Sequence, residues 1–512
     1  MNNRFTHSFF ILSLSVILFG CHEKNEINKQ ENTTVKVDTK IKNSIPSKEK
    51  KELEKELEKE LEKKEEKIAL VKKEKKTLPP VSYPKETIQR FSSIATKSTI
   101  KNFDFNIIKK GFKNNNTLLI VGGIQGDEPG GFMAASLIAT HYEITKGSVW
   151  IVPNLNFYSI IKRSRGPYGD MNRKFANLSK NDPEYESVQR IKNYINDKNV
   201  KLIVNLHDGS GYYRPKYEDK NHSPYKWGQC SIIDQEILKN SKYSDLLSIS
   251  NNVVKHVNKN LITDEHIYHL HNTRTREGDK EMEKTLTYYA INQGKAAFGN
   301  EASKNLPTHQ RIYYHLLALE KYMDTMGIEY KRKFNLNDQV IKNIIDNDIE
   351  ISLYNNKITL PLSKVRNILK YFPVKNDGTI DFIPSNPLMS IVKKKNEYII
   401  YYGNRRLSRL KPDYIDYTND NKNVIIQIDN EDKDVPLGSV IDVKEKFKIY
   451  PIKDYRINII GYTNTTKKET NIPINYEKMM KQFSIDKDGL IYRVELYTKE
   501  KFAGMILVRF DS

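Results

Sequence analysis

The sequence predicts an α/β domain on a mixed, mainly parallel sheet, followed by two small β domains. Three observations predict it. Short apolar runs recur at 117–121, 149–152, 202–206 and 296–299, with the length and composition of buried strands. Segments with helical spacing stand between and after them, at 132–140, 185–196, 246–257 and 310–326. Strands alternating with helices fold as a mainly parallel sheet with functional loops at the strand ends. After Gly327 the alternation stops. Ile351-Ser352-Leu353-Tyr354, the turn residues Asn355-Asn356, and Ile358-Thr359-Leu360 read as a hairpin. Further strand-like runs at 398–402, 424–428 and 457–462 complete two β domains meeting near Pro412.

At 512 residues the chain exceeds what one domain needs. Residues 1–21 carry Arg4 and then an apolar stretch, Phe9-Phe10-Ile11-Leu12 through Val16-Ile17-Leu18, too short for a spanning helix and suited to a signal-peptide core. Leu18-Phe19-Gly20-Cys21 resembles a bacterial lipobox, which would lipidate Cys21 and anchor the mature chain to a membrane in the periplasm; a plain secretory signal is the alternative. Residues 22–94 form a charged Lys/Glu spacer. Its Leu-Glu-Lys-Glu repeat sets like charges at i,i+4 and opposite charges at i,i+3, so a lone helix gains from some pairs and loses from others. Leu53, Leu57 and Leu61 make too thin a stripe for a sustained coiled coil. The catalytic-type domain is expected over 95–327, the first small β domain over 328–412 and a C-terminal, Ig-like β domain over 413–512.

The chemistry gathers at the strand ends. Gln125-Gly126-Asp127-Glu128 closes the apolar run Leu118 to Gly123, and Asn205-Leu206-His207 closes another. Imidazole and carboxylate are ordinary zinc ligands, and a catalytic zinc keeps three protein ligands with the fourth position open to water. A Gln amide oxygen is a weaker donor, so a metal site that takes Gln125 together with Glu128 and His207 would have reduced affinity. A degenerate site in which Gln125 merely caps a loop is the bland alternative, and a QxxE pair alone carries no information. The order of the downstream residues gives it weight: Asp170-Met171-Asn172-Arg173-Lys174-Phe175, then His207, then Glu301 in Ala296-Ala297-Phe298-Gly299-Asn300-Glu301-Ala302-Ser303.

This series resembles the carboxypeptidase A-like superfamily with one histidine replaced by glutamine. Together with the two β domains, it is most similar to the cell-shape-determining peptidoglycan DL-carboxypeptidases. The resemblance implies one Zn²⁺ held by Gln125, Glu128 and His207, and Glu301 as the base that takes a proton from water and returns it to the leaving amine. It further implies Asn172 and Arg173 gripping the substrate's terminal carboxylate, for which a planar guanidinium is suited. Arg165 corresponds to the arginine that polarises the scissile carbonyl; Arg163 is its competitor for that part. Trp227 and Thr287 are weaker candidates for substrate contact. The implied reaction is removal of meso-diaminopimelate from muramyl tripeptide, giving dipeptide, with other cell-shape proteins as further partners.

Two other functions stay open on the sequence. Gly122-Gly123-Ile124 with Gly126-Asp127-Glu128 also resembles the succinylglutamate desuccinylase and aspartoacylase branch, against which export and the β domains argue. A non-catalytic cell-wall-binding protein is the third. The net charge of +20 suits a polyanion such as peptidoglycan, but no basic stripe interleaved with aromatics points to nucleic acid. With Cys21 lipidated, Cys230 is left alone and is read as structural. His266, His269 and His271 are read as part of a polar loop in preference to a second metal cluster.

Overall fold

The computed structural model describes residues 103–420, 422–465 and 468–511. The expected signal peptide, lipobox cysteine Cys21 and charged spacer lie outside them. Among the described residues no helix is long and apolar enough to cross a membrane.

The first part is built on a seven-stranded sheet. Its strands are β1 (Ile108–Gly111), β2 (Thr117–Val121), β4 (Ser148–Val152), β5 (Val200–Gly209), β8 (Cys230–Ile233), β9 (His269–Asn272) and β10 (Ala296–Ser303). They lie in the order β1-β4-β2-β5-β10-β8-β9. The central run β4-β2-β5-β10 is parallel, whereas β1 joins β4 and β8 joins β10 antiparallel. β2 and β4 are buried along their whole length, which is why they read as unbroken apolar runs. β3 (Tyr142–Lys146) pairs apart from this sheet, with a later strand, Glu329–Arg332. β6 (Tyr212–Tyr213) and β7 (His222–Ser223) form a small ribbon.

Two strands run further than their apolar residues. β5 continues through His207 to Gly209 and β10 through Glu301 to Ser303, so both polar residues sit within paired strands and not beyond strand ends. Pairing with neighbours on both sides of β10 holds Asn300 and Glu301 in the sheet despite their polarity. The register places Glu301 directly opposite His207.

Helix Pro129–His141 packs on β5 and on helix Thr308–Thr325. It begins before the expected 132 because Pro129 serves the first turn. Gly130 lies where a Cβ would meet Asp208 Oδ1 at 2.4 Å, so the helix start can approach β5 only with glycine there. The helix is buried on every side. Its outer face is covered by the second part of the chain: Asn386 Nδ2 donates to Ser136 Oγ at 3.3 Å, and Gly403, in left-handed backbone with φ 54°, lies against the Phe132 ring.

That second part contains the expected hairpin. Strands Glu350–Leu353 and Ile358–Pro361 pair antiparallel with Leu353 opposite Ile358, and Tyr354, Asn355 and Asn356 turn the chain in left-handed backbone. The expected meeting point of the β domains, Pro412, falls inside strand Arg405–Ile415, where it pairs with Phe372 in a parallel ladder. Strand Glu329–Arg332, which the sequence places in the first β domain, pairs with β3 of the first part. The last part is two four-stranded sheets around a separate core that includes Val443, Phe447, Tyr492 and Val508.

The loop expected around His266, His269 and His271 is partly strand: His269 and His271 lie on β9, parallel to β8. His266 is buried, with Nδ1 2.8 Å from Tyr314 Oη. Cys230 is buried in β8 and its thiol donates to Trp227 O at 3.0 Å; burial pushes that thiol well up. This is a packed thiol, with no reactive character.

Candidate metal and peptidase site

The turn leaving β2 and the ends of β5 and β10 enclose a cavity of about 240 Å³. Its lining takes in Gln125, Glu128, Arg165, Asn172, Arg173, His207, Trp227, Thr287 and Glu301. All nine residues singled out from the sequence therefore meet in one place.

His207 Nδ1 is the convergence point, 3.1 Å from Gln125 Oε1 and 3.0 Å from Glu128 Oε2. Gln125 is oriented by Asp170, whose Oδ1 accepts from Gln125 Nε2 at 2.8 Å and leaves the amide oxygen facing the imidazole. Gly126 holds the turn against helix Phe157–Lys162, since a Cβ there would lie 2.1 Å from Ser159 backbone. Glu128 Oε2 also accepts from Asp208 N at 3.2 Å, while its Oε1 faces Lys304 Nζ at 3.4 Å and an Arg165 nitrogen at 3.6 Å.

These residues fit a metal. A tetrahedral zinc with bonds of about 2.0–2.1 Å spaces its ligands about 3.3 Å apart, close to the separations around His207 Nδ1. The imidazole must then carry its proton on Nε2, which faces the Asn205 amide at 2.8 Å. Asn205 Oδ1 is a buried acceptor with no partner, and a half-turn of that amide gives Nε2–H its acceptor and leaves Nδ1 bare. Among the described residues no three His, Cys, Asp or Glu side chains are placed to hold a metal, because this donor set completes itself with a glutamine.

Charge around the triad is arranged by Asp170. Burial raises the Asp170 carboxyl, but the Gln125 amide, the Arg165 guanidinium and the Asn172 N–H outweigh burial and hold it below its ordinary value. Arg165 reaches Asp170 Oδ2 through Nε at 3.0 Å and a terminal nitrogen at 2.9 Å. Arg163 turns away and donates through Nε to Asn404 O. Geometry thus separates the two arginines that spacing left as rivals. Asn172 Oδ1 accepts from Leu286 N at 3.0 Å, and Arg173 Nε lies 3.5 Å from Glu281, leaving the guanidinium half-buried at the cavity wall.

Glu301 is buried, and Oε2 has no hydrogen-bond partner. Burial pushes its carboxyl up to about 8, with Glu128 and Asp208 adding to the rise and His207 and Lys304 opposing it. An unpartnered carboxylate opposite His207 is equipped to exchange protons near neutral pH. Sequence reasoning assigned no part to Asp170, Asn205 or Lys304. Asp170 stands beside the Asn172-Arg173 pair; Asn205 and Lys304 carry no spacing signal.

Comparison with known proteins identifies the family. Residues 91–346 match the family described as the catalytic part of the carboxypeptidase controlling helical cell shape. Residues 346–416 match the β-barrel domain of carboxypeptidase M99, and 417–511 the C-terminal domain of metallo-carboxypeptidase. Among solved structures, the apo cell shape determinant protein Csd4 from Helicobacter pylori is 42% identical with a TM-score of 0.72, the match covering 80% of this chain and 100% of that one. The tripeptide-bound form of the same protein matches to the same extent. Its mDAP-bound form, described as a D,L-carboxypeptidase, matches with 42% identity and a TM-score of 0.71 over 79% of this chain and 100% of that one. The search of curated proteins finds no match. Family membership sets aside both the acyl-removing branch and the non-catalytic reading. With the full length of a solved relative covered and all three parts matched, the chain belongs to the M99 peptidases, the metallo-carboxypeptidases that control helical cell shape.

Proposed function

We propose that this protein is a zinc-dependent DL-carboxypeptidase that removes terminal meso-diaminopimelate from peptidoglycan muramyl tripeptide and leaves a dipeptide. The observation that carries the reading is the convergence of Gln125 Oε1 and Glu128 Oε2 on His207 Nδ1, in a cavity shared with Glu301, Arg165, Asn172 and Arg173. The relatives' tripeptide-bound and mDAP-bound forms support the substrate.

Gln125, Glu128 and His207 would hold one zinc ion, which supplies Lewis acidity and a water of lowered pKa. Arg173 and Asn172 hold the free α-carboxylate of the terminal residue, and Arg165 polarises the scissile carbonyl. Glu301 takes a proton from the attacking water at its free Oε2 and passes it to the departing amine. Lys304 and His207 favour the ionised form that this first step needs. A stem extended by D-Ala converts the gripped carboxylate into an amide, so Arg173 loses its charged partner and longer stems are refused.

The same reading extends to the N-terminus. Export through the signal segment and lipidation at Cys21 would hold the enzyme in the periplasm, with the charged spacer letting it reach the wall and meet other cell-shape proteins.

Mass spectrometry of muropeptides digested with the zinc-loaded protein tests the proposal. Dipeptide should arise from tripeptide alone, and efficient release of D-Ala from longer stems would overturn the substrate. Glu301→Gln should keep its metal and lose about 10²–10⁴-fold in turnover. Retention of more than roughly a tenth of the rate would remove Glu301 from the role of base.

A further inference from the structure

A second cavity, of about 440 Å³, opens in the β-barrel away from the catalytic turn. Strand Arg405–Ile415 links the two places: Asn404, just before it, touches Gly126, and Tyr417, two residues past its end, lines the cavity. Eleven residues at about 3.3 Å each set them roughly 35 Å apart. The cavity also reaches the C-terminal domain, for the Tyr417 ring lies 5.0 Å from that of Phe502 and Lys357 Nζ donates to Ala503 O at 2.9 Å.

The buried part of its lining is aromatic, with Tyr354, Phe382 and the half-buried Tyr417, and the exposed part is polar, with Asn355, Asn419 and Asp381. Tyr354 Oη donates to Thr379 O at 3.0 Å and Tyr417 Oη to Pro373 O at 3.1 Å, so both phenols are spent on backbone and the rings offer the cavity carbon. Those bonds also fix the rings, 4.6 Å apart and inclined at 51°, which spares a ligand the cost of ordering them. Tyr354 holds φ 53°, a conformation that a bulky residue keeps only under constraint from its surroundings, and such constraint gathers at ligand sites. Neither lysine of the lining is left for an anion. Lys357 Nζ is taken by the carbonyls of Asp420 and Ala503, and Lys375 Nζ by Asp381 Oδ2 at 3.3 Å.

Fixed rings beside a polar rim without spare charge suit a neutral ligand that has an apolar face and an edge of hydroxyl and amide groups. A lipid chain would meet the polar rim, and a polyanion would find no open cation. Pyranose rings carrying acetamido groups have the required character. We propose that this cavity is a glycan subsite, binding N-acetylated sugars of the strand whose peptide stem enters the catalytic cavity. The identity of that glycan rests on the peptidoglycan reading above. Two sites on one polymer make the second encounter intramolecular, so the subsite raises the effective concentration of stems at the catalytic cavity and leaves the chemical step unchanged.

The test uses the zinc-loaded protein, peptide-free glycan strands prepared from sacculi with an amidase, and two substrates, soluble muramyl tripeptide and intact sacculi. The native protein should bind the strands in isothermal titration. Ser352→Trp, which fills the cavity, and the double change Asp381→Ala with Asn419→Ala, which strips its rim, should each weaken that binding by about ten-fold or more. On sacculi both variants should lose about ten-fold or more in kcat/KM, while on soluble tripeptide they keep native rates and zinc content. A native protein that ignores the strands, or variants that bind them undiminished, overturn the subsite and leave the carboxypeptidase reading intact. Equal losses on both substrates would mark the cavity as structural and overturn the subsite as well. Failure of the native enzyme on soluble tripeptide overturns the carboxypeptidase reading alone. Should Ser352→Trp fail to fold, the rim variant decides.

Discussion

A glutamine can serve as a metal ligand only when its amide is prevented from turning. At Gln125 this is done by Asp170, which takes the NH₂ end at 2.8 Å and is itself held as a carboxylate by Arg165 and the Asn172 N–H. Removing the acceptor lets the amide present nitrogen, which cannot ligate, as readily as oxygen. Asp170→Ala should therefore weaken metal affinity by about 10–100-fold, as partners that orient a ligand typically do. Competition against a chelator measures it, and unchanged affinity would show that Gln125 orients itself. Asp170 could be read from the sequence only as a neighbour of Asn172 and Arg173. Its link to Gln125 spans 45 positions and exists only once the loops meet.

At the scale of elements, the segment carrying Asn172 and Arg173 is a single 3₁₀ turn, Met171–Arg173, and cannot hold its own position. Lys174 anchors it. The ammonium reaches Glu184 Oε2 at 2.8 Å, Asp182 Oδ2 at 2.9 Å and Tyr168 O at 2.8 Å, and the Glu184 side chain is fully buried. Lys174→Met strands that carboxylate and should cost about 3–5 kcal/mol of stability. Thermal unfolding reads the loss, and a variant as stable as the native protein would mean that Asn156, which donates to Glu184 Oε1 at 2.7 Å, suffices alone. The contribution of Lys174 depends on pH with a definite sign. Burial lowers the Lys174 pKa, but Glu184 and Asp182 outweigh it and leave the value raised above the ordinary 10.5. The folded state then holds this proton more tightly than the unfolded chain, so the contribution is complete below about pH 10.5 and is lost as pH rises through the folded pKa. Native and Lys174→Met proteins should accordingly converge in stability in strong alkali, and again in acid, where Glu184, whose carboxyl burial raises, takes up a proton and the ion pair is lost.

For the whole molecule, the β domains do more than extend the chain past the catalytic part. Asn404, in the turn after Tyr402, accepts from Arg163 Nε and donates from Nδ2 to Gly126 O at 3.5 Å, which places it on the backbone of the turn that carries Gln125 and Glu128. Gly403 and Asn386 cover the helix that leaves that turn. A chain ended after Asn347 would bare Phe132 and Ser136 and free the Gly126 turn. It should lose metal binding together with cooperative unfolding, seen by metal titration and circular dichroism. A shortened chain that binds zinc as the full protein does would show that the β domains serve some other purpose.

Period and apolar run length were enough to determine the α/β class and the hairpin at 351–360, and the family resemblance carried by the order of the motifs pointed to the cavity residues from the metal triad to Thr287. Such signals are local: a buried strand must be apolar, and a ligand must be a donor whatever surrounds it. What only the tertiary structure decided depends on pairing between distant segments. Strand pairing carried β5 and β10 past their apolar residues, so that His207 and Glu301 face each other in register. It put Pro412 inside a strand, drew His269 and His271 onto β9, and sent Arg163 to Asn404 while Arg165 entered the site. No residue announces its partner across the fold. The orphaned acceptors on Asn205 and Glu301 become visible only when burial has removed the water that would otherwise satisfy them.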